Sequence, residues 1–170
     1  MKNLEDLIFT YKDFPKKGID FKDVLEIIHY PDIFQELILK MSSSQFFKNA
    51  DAIIAIDARG FIFGSALALQ SSKPRIVARK PGKLPGELVT REYDLEYGKN
   101  SLSIQNKALK KFNSFVIIDD LLATGGTVNC VSKLLQKEGK EITGFLTIVE
   151  LKKLDGRSKL NFPVQSIISL

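Results

Sequence analysis

With 170 residues, 44% of them hydrophobic and 26% charged, the chain has the composition of one globular domain, which excludes a disordered or fibrous protein. No apolar run reaches bilayer-spanning length, and Met1-Lys-Asn-Leu-Glu-Asp lacks a signal peptide's apolar core, so we expect a cytoplasmic protein without a membrane partner. The formal charge of +5 suits an anionic ligand, but no helical pattern carries basic residues at groove-reading spacing, and the single cysteine excludes an intrachain disulfide and a zinc finger. No nucleic-acid partner is expected.

In chain order, Pro31 can open a helix whose Ile33, Phe34, Leu37, Ile38 and Met41 form one apolar stripe, weakening at Ser42-Ser-Ser44. Ala52–Ile56 reads as a buried strand ending at Asp57, with Arg59-Gly60 at the turn and an apolar helix over Phe61–Leu69. Arg75–Arg79 is a third strand, and residues 80–86 form a loop punctuated by proline and glycine. Glu87–Tyr93 and Leu102–Gln105 resemble the arms of an antiparallel ribbon around Tyr97-Gly98-Lys99-Asn100. Phe115–Ile118 and Ile142–Val149 are further apolar strands, separated by a helical pattern through Val128, Val131, Leu134 and Leu135 that should stop at Gly139. Cys130 falls inside that helix, where a packed and inert thiol is expected. Strands alternating with helices predict a single α/β domain over residues 1–170, with a mainly parallel twisted sheet flanked by helices.

The richest stretch is Phe115-Val-Ile-Ile-Asp-Asp-Leu-Leu-Ala-Thr-Gly-Gly-Thr127. The β-branched and aromatic run at its start has no polar break, as in a strand buried on both faces. Asp119 and Asp120 then stand at the carboxyl end of that strand, the edge where open α/β sheets bind ligands. Ala123, Gly125 and Gly126 let the backbone approach a ligand closely, Thr124 and Thr127 add hydroxyls, and a helix begins at once. A phosphate there would meet unpaired N–H groups and the positive end of the helix dipole. No Gly-Lys-Ser/Thr follows, so the run is not a Walker A loop.

Asp57-Ala58-Arg59-Gly60 occupies the same position after another strand. An arginine at a sheet edge can hold phosphate oxygens through its planar fork. On spacing alone the better reading of Arg59 is a surface residue paired with Asp57; the neighbouring acidic loop and the next cations turn the balance toward a phosphate contact. Arg79, Lys80 and Lys83 follow the next strand, and several cations at one edge suit a ligand with more than one phosphate; an exposed basic loop explains those three equally well.

These segments, with Asp13-Phe-Pro-Lys-Lys-Gly-Ile-Asp-Phe-Lys-Asp23, Leu95-Glu-Tyr-Gly-Lys99, Val149-Glu-Leu and Leu154-Asp-Gly-Arg-Ser-Lys-Leu160, resemble the adenine phosphoribosyltransferases, type I phosphoribosyltransferases, over nearly the whole chain. The resemblance implies transfer of a phosphoribosyl group from 5-phosphoribosyl-1-pyrophosphate (PRPP) to adenine, giving AMP and pyrophosphate, with Mg²⁺ held mainly by the PRPP and pyrophosphate oxygens and water. It also implies an N-terminal base-binding hood over residues 1–30, a flexible catalytic loop over 80–105, and a homodimer. Ala123, Thr124, Gly125, Gly126 and Thr127 would wrap the 5′-phosphate, and Asp119 and Asp120 would face the ribose hydroxyls. Arg59 would bind pyrophosphate with Arg79, Lys80 and Lys83. Glu96 would assist proton transfer near the purine N7, Tyr97 would pack over the ribose or the loop or serve as a structural residue of the ribbon, and Phe21 would stack on adenine between Asp20 and Lys22, whose backbones frame the base.

Three positions depart from the family's usual pattern. Ala58 replaces a common serine in a loop that typically contains a non-proline cis peptide. Lys17 replaces a proline, and Asp20 stands where an apolar residue is common, so its side chain should point to solvent. Two rival functions remain at this point: transfer to another nucleobase, and a catalytically silent regulator that senses PRPP.

Overall fold

The computed structural model describes residues 3–95 and 98–170. The chain opens with a short hairpin, β1 (Phe9–Tyr11) and β2 (Phe21–Asp23), paired antiparallel. Helices α1 (Pro31–Ser42) and α2 (Gln45–Asn49) follow, then β3 (Ala52–Ile56), α3 (Gly60–Ser71) and β4 (Arg75–Ala78). An antiparallel ribbon comes next, β5 (Leu88–Leu95) with β6 (Gly98–Gln105), and the one-turn α4 (Asn106–Leu109). The rest is β7 (Ser114–Leu122), α5 (Gly126–Lys137), β8 (Glu141–Glu150) and β9 (Val164–Ser169).

Five strands form one sheet in the order β4-β3-β7-β8-β9, and each neighbouring pair is parallel. Both faces are covered, which is why the strands read as unbroken apolar runs. Along β3 and β7 the side chains alternate between two cores. Ile54, Ile56, Phe115 and Ile117 pack with Val131, Leu134 and Leu135 of α5 and with Leu102 and Ile104 of the ribbon. Ile53, Val116 and Ile118 pack on the other face with Leu37 and Met41 of α1 and Phe63 and Leu67 of α3. Emptying one such position, as in Ile117→Ala, should cost about 2–5 kcal/mol.

The expected elements recur with small shifts at their ends. The helix after β7 ends near Gly139, at φ +66°. Cys130 is buried, its Sγ–H donates to Arg91 O at 3.4 Å, and burial raises the thiol's pKa, as suits a packed, unreactive sulfur. The hairpin, α2, α4 and β9 are additions that periodicity does not reveal, being too short or only half-buried to leave a pattern. The second strand of the ribbon, β6, is also tied to the end of β4, because Arg79 and Ser103 exchange two backbone hydrogen bonds, at 3.0 and 2.7 Å.

Candidate active site

β7 runs through both acids to Leu122, so Asp119 and Asp120 lie inside the strand rather than beyond it. Only three residues then separate the strand from α5. The ends of β3 and β7 thus enclose a cavity of about 330 Å³, walled by Asp57–Arg59 on one side and residues 119–128 on the other. The N-terminus of α5 at Gly126 opens onto it, and Arg59, the residue before α3, lines it. The Asp57–Ala58 peptide is cis, as the family resemblance implies, although the residue is alanine.

The two carboxylates differ in their surroundings. Asp119 is half-buried, and its Oδ1 accepts the Asp120 N–H at 2.9 Å. A Cβ on Gly60 would lie 3.0 Å from that oxygen, so a glycine at the start of α3 is what admits the carboxylate there. Asp120 is 4% exposed, and its Oδ2 lies 3.0 Å from Arg59 Nε. The contact is an ion pair with poorly aligned hydrogen-bond geometry, and Oδ2 has no hydrogen-bond donor among the described residues. Burial raises the pKa of Asp119 well above the ordinary aspartate range, and the neighbouring Asp120 charge adds to it. Burial raises Asp120 as well, while Arg59 pulls it back. The pair is therefore an anionic site short of positive charge.

The other end of the cavity has the opposite character. Residues 121–128 contribute no charged side chain to its wall. The amides of Thr124 and Gly125 find no acceptor among the described residues, and the first amides of α5 lack intrahelical partners. Gly125 precedes that helix at φ +77°. Free amides and a helix dipole without side-chain charge form an anion cradle.

Arg59 is the residue that joins these parts. Its partner is Asp120, not Asp57, and its guanidinium carbon lies 4.6 Å from the centroid of the Phe21 ring. Its Nη1 donates weakly to Lys22 O at 3.4 Å. Asp57 instead holds Arg79, Nε to Oδ2 at 2.9 Å, and Arg79 also donates to Lys83 O. Arg79, Lys80 and Lys83 stand outside the cavity wall, and both lysines are exposed. Phe21, at the start of β2, is half-buried and meets Phe14 edge-on at 5.2 Å between centroids; Phe14 lies in the β1–β2 loop, where the Phe14–Pro15 bond is cis and Gly18 N–H donates to Asp13 Oδ1 at 2.7 Å. Asp20 is exposed, in keeping with the expected solvent orientation, and Lys22 donates through Nζ to Thr10 Oγ1 at 2.7 Å. Glu96 and Tyr97 lie outside the described residues. Asp57, as the holder of Arg79, was not among the expected site residues; its place at a strand end beside Arg59 was the available signal.

The match to known proteins covers the same ground. Residues 25–169 fit the model of the phosphoribosyl transferase domain. An adenine phosphoribosyltransferase of Prochlorococcus marinus strain AS9601 is 76% identical over 170 residues, covering all of both chains. The crystal structure of adenine phosphoribosyltransferase from Thermoanaerobacter pseudethanolicus superposes with a TM-score of 0.92 at 40% identity, covering 98% of each chain. That from Saccharomyces cerevisiae, complexed with an imino-altritol bisphosphate and adenine, gives 0.88 at 35%, covering 97% of this chain and 96% of that one. With its paired carboxylates, anion cradle and sheet topology, the chain belongs to the adenine phosphoribosyltransferase family.

Proposed function

We propose that the protein makes AMP and pyrophosphate from adenine and PRPP, and that the cavity between β3 and β7 holds the phosphoribosyl group. The observation that carries this reading is the placement of a carboxylate pair, Asp120 buried and Asp119 half-buried, beside an anion cradle free of side-chain charge. A ribose 5-phosphate needs that combination: amides for its phosphate, acids for its hydroxyls. In the transfer, the bond from ribose C1 to the pyrophosphate oxygen breaks, a bond from C1 to adenine N9 forms, and adenine gives up a proton. Positive charge develops on the ribose ring as the first bond lengthens. Ionised, Asp119 and Asp120 gain more from that positive charge than from the neutral ribose ring of the ground state, so they favour the transition state over the ground state.

Arg59 would move from Asp120 onto pyrophosphate, with Arg79, Lys80 and Lys83 closing from the rim. Phe21 would carry adenine on its face, and Glu96 would take the proton role near N7. The described residues contain no cluster of three His, Cys, Asp or Glu that would cage a metal. Asp120 Oδ2, which accepts no hydrogen bond among the described residues, and the Asp119 carboxylate are hard oxygen acceptors that suit the water shell of a Mg²⁺ ion carried on PRPP. That ion would supply charge neutralisation for the departing pyrophosphate.

A homodimer acting in the cytoplasm belongs to the same reading. An apolar groove between α1 and α3, lined by Phe34, Ile38, Ala66 and Leu69, offers a surface for a second copy, with Leu69 86% exposed. Among the described residues no helix is long and apolar enough to cross a membrane. The test is to mix the protein with Mg²⁺, PRPP and each nucleobase in turn and to follow nucleotide formation. AMP from adenine is expected; no AMP, or a preference for guanine or hypoxanthine, would overturn the reading.

A further inference from the structure

The segment Leu154-Asp-Gly-Arg-Ser-Lys-Leu160 has no part in the chemistry above, yet its backbone is the back wall of the phosphate loop. Gly156 is buried, and a Cβ on it would lie 2.1 Å from Ala123 O, 2.8 Å from Gly125 N and 3.0 Å from Thr124 C. A Cβ on Gly125 would in turn lie 2.6 Å from Gly156 O. The two glycines face each other, and the two backbones can approach only because neither residue has a side chain. On the same turn, Lys159 Nζ donates to Thr124 O at 2.9 Å.

This turn is itself anchored. Arg157 grips Glu150, the last residue of β8, through both carboxylate oxygens, with Nε to Oε1 at 2.8 Å. A third guanidinium contact, Nη1 to Val164 O at 2.6 Å, ties it to β9, and Ser166 Oγ donates to Glu150 Oε2 at 2.8 Å. Next to Glu150, Leu151 N–H donates to Leu122 O at 2.9 Å, immediately before the cradle. The sheet edge, the turn and the loop thus form one connected frame.

We propose that Gly156 and Lys159 are positioning residues for the 5′-phosphate, an inference that rests on the reading of residues 123–127 as its cradle. The cradle wall contains no cationic side chain, and Lys159 is the one cation hydrogen-bonded to the loop among the described residues. The carbonyl and N–H of a trans peptide point in opposite directions. Fixing Thr124 O on Lys159 therefore turns the Gly125 N–H away from the lysine, and the ammonium polarises that peptide so that the N–H becomes a stronger donor. Gly156 acts through shape: it lets the loop sink to the depth at which its amides converge.

Calorimetric titration of the full chain with ribose 5-phosphate, together with kinetics in PRPP and in adenine, separates these roles from simple stability. Lys159→Met should raise the Kd for ribose 5-phosphate and the KM for PRPP about fivefold, the worth of one exposed charge-assisted hydrogen bond. The KM for adenine should stay put, the Tm should fall by no more than about 2–4 °C, and Lys159→Arg should restore most of the loss. Gly156→Ala should weaken ribose 5-phosphate and lower turnover with PRPP about 100-fold, as expected for a displacement on the order of 1 Å. If Gly156→Ala fails to fold, the Lys159 variants still decide. Wild-type affinity for ribose 5-phosphate in Lys159→Met would overturn the inference. Failure of the unaltered protein to bind ribose 5-phosphate would instead overturn the cradle reading itself.

Discussion

Arg59 lies across Phe21, its guanidinium carbon 4.6 Å from the ring centroid, while its Nε stays 3.0 Å from Asp120. One side chain therefore covers the aromatic face proposed for the base and neutralises the acid proposed for the ribose. Pyrophosphate would draw it away from both. Exposing Asp120 to ribose and Phe21 to adenine thus becomes a single event.

Arg59→Met tests this coupling. Loss of the guanidinium should lower turnover about 100-fold or more, because the charge contact proposed for the leaving group would be gone. The same change should let adenine bind the substrate-free protein more tightly, because nothing polar then competes for the ring. Calorimetry with adenine alone is the measurement. A parallel loss of adenine affinity would mean that Arg59 supports the base site instead of covering it.

Asp119 allows a test in which stability and activity move in opposite directions. Its pKa is raised by burial and by Asp120, so the folded protein holds the Asp119 proton more firmly than the unfolded chain does. Between the ordinary aspartate pKa and the raised one, the native state binds more protons, and stability therefore falls as pH rises through that window. Asp119→Asn removes the fall. The amide oxygen can still accept the Asp120 N–H. Thermal melts at pH 7 should show a Tm higher by about 3 °C, while turnover drops about 100-fold or more. A lower Tm would show that the carboxylate is held by favourable contacts that outweigh its burial.

The sheet, the cradle and the acid pair were legible in the sequence because each leaves a local signature. Ala52–Ile56 and Phe115–Ile118 are apolar without a break since two cores flank them, and Thr124–Thr127 announces a loop that must approach a ligand. Pairing between side chains was not legible. Arg59 and Asp57 are near neighbours in sequence, but Arg59 turns to Asp120 and leaves Asp57 to Arg79, an exchange set by strand order rather than by spacing. The approach of Gly156 to Gly125 was hidden for the same reason: the run Leu154–Leu160 stands out by resemblance, but the contact crosses from one strand-end loop to another and spacing does not reveal it.

Glu150 and Arg157 make a pH-dependent contribution of the opposite sign. Hydrogen bonds from Arg157, then from Ser166, hold the Glu150 pKa below the ordinary glutamate value against the effect of burial. The stabilisation is present above the unfolded-state pKa and is lost as pH falls through the lower folded one. Arg157→Met leaves Glu150, whose side chain is 6% exposed, without its counter-charge. A fully buried pair broken this way costs about 3–5 kcal/mol; with Arg157 itself 45% exposed, about 2 kcal/mol is expected. Urea unfolding at pH 7 measures the loss, and repeating it toward pH 4 should narrow the gap between variant and unaltered protein. A gap that stays constant with pH would assign the loss to packing alone.

Phe21 separates recognition of the base from recognition of the sugar phosphate. It sits in the hairpin, whereas the cradle belongs to the β7–α5 junction, and among the described residues Arg59 is the side chain that touches Phe21 and also reaches Asp120. Stacking on an aromatic face is worth about 1–3 kcal/mol per base. Phe21→Ala should therefore raise the KM for adenine about tenfold or more and change the KM for PRPP little, since the amides of residues 124–127 are untouched. Phe21→Tyr should retain most of the affinity because it keeps the ring. Steady-state kinetics with each substrate varied in turn distinguishes the outcomes. Equal rises in both KM values would place Phe21 in the folding of the hairpin, through its edge-on contact with Phe14, instead of under the base.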